Sequence, residues 1–467
     1  MNNKPLLTHA YFLSSDEREQ SIMKPYAPLG ILYIAAWLRK NGTDCDVYDS
    51  TFSTFEKLKS YIDENAPPVI GIYTNLMTRV NVIKIIKYLR SKPIAHQPKI
   101  ILGGPEVRYH AAELLKVGAD VIVIGEGEQT MLELCNHFIQ GESSLGNITG
   151  IAYSNAGEIK NTPEREKFKS LDVLPHPARD KIDIQLYLDA WKNRHGENSI
   201  SINTMRGCPY TCKWCSRAVY GQSYRRRSPQ HVIDELQFLQ KQYVFDAIWF
   251  VDDVFTISPK WLQEFHDLIV SNQIKINYEC ITRADRLSEN MLALLKGSGC
   301  FRVWIGAESG SQNIIDNMDR RVQVGQVRTM IQEANKQGLQ TGTFIMLGYP
   351  GETIDDIYET INHLKVANPD YYTLTVAYPI RGTELYNEVQ SDFTTTFDWE
   401  NQSDRDIDFK RMYPKGFYKH AIRLMYNEVQ LYKDKLKGRS NLKLMKYKLK
   451  SLASRAGMQW YMLKKLA

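Results

Sequence analysis

The sequence predicts an α/β protein made of two parallel-sheet domains and a helical C-terminal region. Three observations carry that expectation. Short apolar runs alternate with helical periodicity over roughly the first 140 residues, the same alternation resumes from Ile200 to about Leu385, and a polar, proline-marked stretch separates the two.

In the first alternation, Leu6 to Leu13, Asp44 to Tyr48, Val69 to Tyr73, Lys99 to Leu102 and Asp120 to Ile124 read as strands. Leu29 to Lys40, Phe55 to Glu64, Val80 to Ser91, Glu106 to Lys116 and Glu128 to Phe138 read as the intervening helices. Five strands wound this way predict a flavodoxin-like (Rossmann-like), doubly wound sheet that binds its ligand beyond the carboxyl ends of the strands. The loops there are Ser14-Ser15, Thr74-Asn75-Leu76, Gly103-Gly104-Pro105-Glu106 and Gly125-Glu126-Gly127-Glu128. Small residues let a backbone approach a ligand closely, so together these loops predict a binding rim.

A linker follows. Ile148 to Tyr153 with the turn Asn155-Ala156-Gly157 reads as a small hairpin, and Pro175, Pro177 and the polar run Lys192 to Asn198 mark a boundary. From Ile200 the strands are Ile200 to Met205, Ala247 to Val251, Ile276 to Thr282, Arg302 to Gly306, Thr341 to Leu347 and Tyr371 to Ala377. Six βα units predict a partial (β/α)6 TIM-like barrel with its chemistry at the carboxyl ends of the strands. The expected organisation is therefore 1–145 α/β domain, 146–195 linker, 196–390 barrel and 391–467 helical region.

Composition bounds the function. No run of about 18 apolar residues is present, and Asp16, Glu17, Arg18 and Glu19 fall where a signal peptide needs its apolar stretch, so the cytoplasm is the expected compartment. Seven cysteines, three of them within eight residues, argue for a metal site in a reducing compartment rather than for disulfides. From Leu431 to Ala467 there are eleven Lys or Arg against one acid, Asp434, so that tail holds +10 of a formal net +6 and the remainder of the chain is about −4. That distribution does not support a global basic footprint for nucleic acid, and the basic tail needs its own explanation.

Arg206-Gly207-Cys208-Pro209-Tyr210-Thr211-Cys212-Lys213-Trp214-Cys215 places Cys-x3-Cys-x2-Cys directly after the first barrel strand. Iron–sulfur clusters normally take four thiolates, so a compact group of three invites an exogenous ligand on the fourth iron. A structural zinc site would want a fourth partner, and none stands nearby. This motif, with Trp214 just before the third cysteine, resembles the radical S-adenosylmethionine (SAM) superfamily. The resemblance implies a [4Fe–4S] cluster on Cys208, Cys212 and Cys215, chelated at its open iron by SAM and cleaving it to a 5′-deoxyadenosyl radical. It further implies SAM contacts from Trp214, from Asp252 and Asp253 after the second strand, from Arg283 in Thr282-Arg283-Ala284, and from Glu308 in Ile305-Gly306-Ala307-Glu308-Ser309-Gly310. Asp252 or Asp253 could instead cap the next helix, Arg283 could face a nearby acid, and Gly348-Tyr349-Pro350-Gly351-Glu352 serves a turn as readily as a contact.

Pro28 to Leu38, Gly103-Gly104-Pro105-Glu106 and Gly125-Glu126-Gly127-Glu128 look like the cobalamin-binding domain fused to one large radical SAM class, a resemblance covering about four fifths of the chain. By it, Thr74, Asn75, Gly103, Gly104, Pro105, Gly125, Glu126 and Gly127 would contact cobalamin. The Asp-x-His-x-x-Gly motif that gives cobalt a histidine elsewhere is absent; His9, His96, His110 and His137 lack its context. Methylthiotransferases share the architecture, but they carry three more cluster cysteines in the first domain and a terminal RNA-binding module, whereas here that domain has only Cys45 and Cys135. The resemblance implies methylation of an unactivated carbon or phosphorus, or a cofactor-assisted cyclisation, with a flavodoxin or ferredoxin as reductase and no nucleic-acid partner. A non-catalytic cobalamin scaffold is the remaining alternative, and the intact cysteines and Glu308 speak against it.

Phe409 to Lys437 reads as a helical lid. Beyond it Leu442, Met445, Leu449 and Leu452 recur at helical spacing among lysines. Such a helix either lies on an anionic membrane surface at the inner face, which would suit a lipid-like substrate, or packs on the barrel with a solvated lysine face.

Overall fold

The computed structural model describes residues 4–142 and 144–466, together with the backbone but not the side chains of the last three of these. Met1 to Asn3, Ser143 and Ala467, the ends of the expected first domain and basic tail among them, lie outside the described residues.

The first sheet has seven strands in the order β2-β1-β3-β4-β5-β6-β7. They are β1 (Leu6–His9), β2 (Asp46–Tyr48), β3 (Val69–Tyr73), β4 (Lys99–Gly103), β5 (Val121–Val123), β6 (Ile151–Asn155) and β7 (Glu158–Asn161). The first five are parallel in the flavodoxin-like order, and the hairpin β6–β7 extends the edge antiparallel. Alternation along each strand divides the core. Leu6, Ile70, Ile72, Ile100, Leu102 and Ile122 pack with Leu58, Ile62, Val82, Ile86 and Leu114 on one face, while Leu7, Val69, Ile101, Val121 and Val123 pack with Ile31, Ala35, Met131 and Leu134 on the other. Both faces are covered, which is why these strands read as unbroken apolar runs.

The helices Leu29–Lys40, Phe55–Asn65 and Arg79–Arg90 stand where the periodicity places them. The expected helix over 106–116 is instead a short 3-10 turn, Val107–Tyr109, followed by Ala111–Val117. Glu128–Cys135 passes into a π turn, Asn136–Gln140, so its last residues leave the α period.

A small antiparallel pair, β9 (Met205–Arg206) with β10 (Arg225–Arg226), stands apart from the two large sheets. The second sheet has the order β15-β14-β13-β12-β11-β8, from β8 (Ser199–Ile202), β11 (Ala247–Phe250), β12 (Tyr278–Thr282), β13 (Cys300–Ile305), β14 (Gln340–Leu347) and β15 (Tyr371–Val376). Its sequential order and parallel β12–β13–β14–β15 registers make it a partial TIM-like barrel. Phe250, Phe255, Trp261, Phe265 and Tyr278 form an aromatic core in it, with Trp261 stacked on Phe265 at 5.2 Å.

Two compact units emerge, neither continuous in sequence: 1–209, 216–248 and 397–405 in one, and 210–215, 249–396 and 406–467 in the other. Within the first, the returning segment 397–405 is gripped by Arg79, which is wholly buried and donates to the Trp399 carbonyl (2.8 Å) and the Gln402 carbonyl (2.9 Å).

The helical lid begins later than expected, at Lys415, with Pro414 at its N-cap, and runs to Leu436. The final helix, Asn441–Leu466, packs along it. No helix of the described residues is long and apolar enough to cross a membrane.

Candidate active site

Gly207 opens the cysteine loop with φ +83°, and a Cβ there would stand 2.4 Å from Ser223 Oγ and 2.5 Å from its carbonyl oxygen, so no side chain is admitted. Cys208 bridges to Gln222, whose amide donates to the Pro209 carbonyl at 3.0 Å. These contacts belong to the first unit.

In the second unit the stretch 210–215 is clamped from several sides. The Lys213 N–H donates to the Met318 carbonyl (3.1 Å), its carbonyl accepts from Leu385 N–H (2.9 Å), and its ammonium donates to Glu388 (2.6 Å). Thr211 Oγ1 donates to Asp319. Cys212 is buried, with Arg283 Nη1 at 3.8 Å and Arg320 Nη1 at 3.9 Å from its sulfur. Two guanidinium groups thus stand beside the sulfur of one cysteine of the motif.

Arg283 therefore turns to a cysteine and to an acid: its Nε donates to Asp285 (2.8 Å) and its Nη2 to the Arg320 carbonyl (2.7 Å), while its guanidinium lies 3.8 Å from the Tyr210 ring centroid. Arg320, which sequence reasoning missed, also donates to the Gly306 carbonyl (2.8 Å) and stands 3.6 Å from Glu308 Oε1. A Cβ on Gly306 would fall 2.3 Å from Arg320 Nη2, so this glycine makes room for the arginine.

Glu308 takes φ +65°, a left-handed conformation that costs a non-glycine residue of order 1–3 kcal/mol. It is held there because its N–H donates to Phe344 O and its carbonyl accepts from Met346 N–H, each at 2.8 Å. Burial pushes the Glu308 carboxyl above its ordinary pKa, with Arg320 and Arg283 opposing. A buried carboxylate with incomplete charge compensation is one that a ligand's hydroxyl donors would satisfy. Trp214 packs against Ile314, Met318 and Tyr349, and its buried Nε1 has no partner among the described residues. Asp252 is buried at the end of β11 and Asp253 beside it is exposed.

At the carboxyl end of the first sheet the loops separate by role. Gly104 (φ +109°) would put a Cβ 2.4 Å from the Thr74 carbonyl and is required by protein packing, whereas a Cβ on Gly127 would only crowd the Ile34 side chain at 3.1 Å. Gly125 (φ +95°) has only Val219 O at 3.8 Å and Gly103 only Val123 at 3.9 Å, so these two leave backbone open for a ligand. Thr74 is buried, its N–H donating to the Gly103 carbonyl (2.7 Å). The Asn75 side-chain Oδ1 accepts from Met77 and Thr78 N–H (2.9 and 3.1 Å), forming the turn into the next helix. Pro105 is half-buried.

Glu126 is drawn inward. Its carboxylate accepts from Arg206 Nη1 (2.8 Å), Arg225 Nη1 (2.8 Å) and Phe168 N–H (3.1 Å), and Arg206 Nη2 donates to Glu128. Burial would raise the Glu126 carboxyl, yet Arg225 and Arg206 hold it below its ordinary value. Glu106, His110 and Asp404 bring ligand atoms within 4.8 Å of one another, the geometry of a metal cage. Arg79 already fills it, with Nε 2.8 Å from Glu106 and Nη2 3.3 Å from Asp404, so the cage is a buried ion cluster.

Residues 202–364 match the model of the radical SAM superfamily, and residues 21–135 match that of the B12 binding domain. The chain belongs to the cobalamin-dependent radical SAM enzymes. Its cofactors are accordingly a [4Fe–4S] cluster, SAM and cobalamin. It is 28% identical over 386 residues to an uncharacterized methyltransferase of Pyrococcus horikoshii, covering 81% of this chain and 82% of that one. It is 27% identical to the anaerobic magnesium-protoporphyrin IX monomethyl ester cyclase of Rubrivivax gelatinosus, over 80% of this chain and 68% of that one. The radical SAM methyltransferase TsrM of Kitasatospora setae, solved with cobalamin and a [4Fe–4S] cluster, shares the fold with a TM-score of 0.72 at 16% identity, covering 92% of this chain and 89% of that one.

Proposed function

We propose that this enzyme transfers a methyl group to an unactivated carbon, or to phosphorus, of a small or lipid-like molecule. The observation that carries the reading is the fate of the histidines in the first unit. At the carboxyl end of the sheet, His9 Nε2 is engaged by Asp49 (2.9 Å) and its Nδ1 by Tyr11 N–H (3.2 Å). His110 Nδ1 accepts from Trp399 Nε1 (2.7 Å) and its Nε2 faces Glu106 (3.4 Å). His96 and His137 lie at the opposite end, before β4 and after the helix Glu128–Cys135. None of these four histidines stands unengaged at the carboxyl end of the sheet, and that supports a corrinoid that would be held without their imidazoles and would serve as a methyl donor.

Bound, the cluster and SAM supply a 5′-deoxyadenosyl radical and cobalamin supplies a methyl group. The chain's own residues hold and orient. Cys208, Cys212 and Cys215 would carry the cluster; Trp214, Asp252, Asp253 and Glu308 would receive SAM; Gly103 and Gly125 would bring backbone to the corrinoid. Arg283 and Arg320 act on Cys212 by position and charge. A flavodoxin- or ferredoxin-like protein would deliver the electron, and with none of the seven cysteines in a disulfide a reducing cytoplasm suits the chain.

Turnover with SAM deuterated in its methyl group tests the proposal on candidate substrates. The expected result is label in the product, with both S-adenosylhomocysteine and 5′-deoxyadenosine formed. Unlabelled product with 5′-deoxyadenosine alone would favour the second reading, radical cyclisation or rearrangement, which the likeness to the cyclase supports.

A further inference from the structure

The final helix buries a face of small and mixed residues and leaves its longest apolar stripe outward. Ser451, Ser454 and Met458 are buried, Gly457 packs against the His420 ring and Tyr461 against Gly416, all toward the helix Lys415–Leu436. Leu442, Met445, Leu449, Leu452, Trp460 and Leu463 point the other way, with 53 to 75% of each exposed. At 100° per residue these six fall within one stripe about 80° wide, directly opposite the packed face. A surface helix that merely covered a barrel would turn most of its leucines inward; this one leaves Leu442, Leu449, Leu452 and Leu463 outward and buries Ser451 and Ser454.

The flanks of the stripe are cationic. Lys446 borders one side, with Lys450 a step beyond it, and Lys448 borders the other, all exposed, and from Asn441 to the end of the chain there is no acidic residue. Lys443 and Arg455 instead pair with Asp434 (2.9 Å) and Glu428 (3.0 Å) of the preceding helix and help fix the final helix in place. From Leu442 to Leu463 the stripe runs straight for about 30 Å.

We infer that the exposed face of the helix Asn441–Leu466 is a docking surface for an anionic lipid bilayer, lying in the plane of the interface. A straight apolar stripe bordered on both sides by lysines fits a flat surface that is apolar beneath and negatively charged at its headgroups. Trp460, amphipathic in itself, belongs at such an interface.

The test uses the full-length holoenzyme, purified anaerobically, with vesicles of phosphatidylcholine alone and of phosphatidylcholine with phosphatidylglycerol. Cosedimentation with the anionic vesicles is expected, weakening with salt and absent with phosphatidylcholine alone. The double substitution Leu449→Glu with Leu452→Glu changes two exposed side chains, leaves the packed face intact, and should lower partitioning at least about tenfold with circular dichroism and iron content unchanged. If that variant fails to fold, Lys446→Glu with Lys448→Glu and Lys450→Glu should give the same loss. Equal binding by wild type and folded variants, equal binding to both vesicle types, or no binding to either would overturn the proposal. So would a wild-type dimer in light scattering that the leucine substitutions dissociate, since the stripe would then be a self-association face.

Discussion

Arg206 donates through Nη1 to Glu126 at 2.8 Å, and both side chains are buried in the first unit. Arg206 immediately precedes Gly207 and Cys208, while Glu126 belongs to the loop after β5, so one ion pair ties the start of the cysteine loop to the rim expected to meet cobalamin. Breaking a buried pair by removing one partner typically costs about 3–5 kcal/mol, because the charge left behind is uncompensated. Arg206→Met should therefore lower the urea midpoint sharply. Adding Glu128→Gln to Arg206→Met removes the carboxylate held by Arg206 alone and leaves Glu126 to Arg225, so it should recover part of the loss; a double variant as unstable as the single one would show that the pairing is not the cause.

Arg320 gives a separable effect. Arg320→Met should leave iron content intact and lower 5′-deoxyadenosine formation about 10–100-fold, the usual effect of removing a group that orients a metal ligand or cofactor contact. Arg320→Lys should recover only part, because a point charge cannot reach Cys212 and the Gly306 carbonyl together as the planar fork does. Gly306→Ala should resemble Arg320→Met, since its Cβ would displace the same guanidinium. Nucleoside formation by Arg320→Met at the wild-type rate would remove Arg320 from the account.

Glu352 predicts a pH dependence. It is wholly buried, its Oε2 accepting from Gly348 N–H (2.5 Å), and burial pushes its carboxyl from 4.5 to about 8. The folded chain thus keeps a proton that the unfolded chain releases. Stability falls as pH rises from about 4.5 towards 8, with each unit of the shift linked to about 1.4 kcal/mol. Glu352→Gln keeps the acceptor and removes the titration, so its denaturation midpoint should exceed that of the wild type increasingly between pH 5 and 8. Parallel pH profiles for the two proteins would refute the assignment.

Legibility in the sequence follows the range of the interaction. The strands of both sheets were readable because burial of one face or both writes a local period, and the three cysteines because their spacing is itself the motif. Arg320 was not readable: no spacing relates position 320 to Cys212, and only the fold brings them within 3.9 Å. The grip of Arg79 on the segment 397–405 spans more than 300 residues and leaves no local pattern. Glu126 was legible as a rim residue but not as the partner of Arg206 and Arg225, since a glutamate beside glycines reads as exposed. The apolar stripe of the last helix was legible as periodicity; which way it faced was not, because Ser451, Ser454 and Met458 are buried while Leu449 and Leu452 stay exposed.

The measurement that tests the central claim most directly is anaerobic reconstitution with iron, sulfide and hydroxocobalamin, followed by reduction with SAM and assay of 5′-deoxyadenosine and bound corrinoid, beside single Cys208→Ala, Cys212→Ala and Cys215→Ala variants. The account predicts nucleoside and one tightly held cobalamin for the wild type, and cobalamin without nucleoside for each variant. Wild-type protein that holds no corrinoid, or cysteine variants that still form the nucleoside, would contradict it.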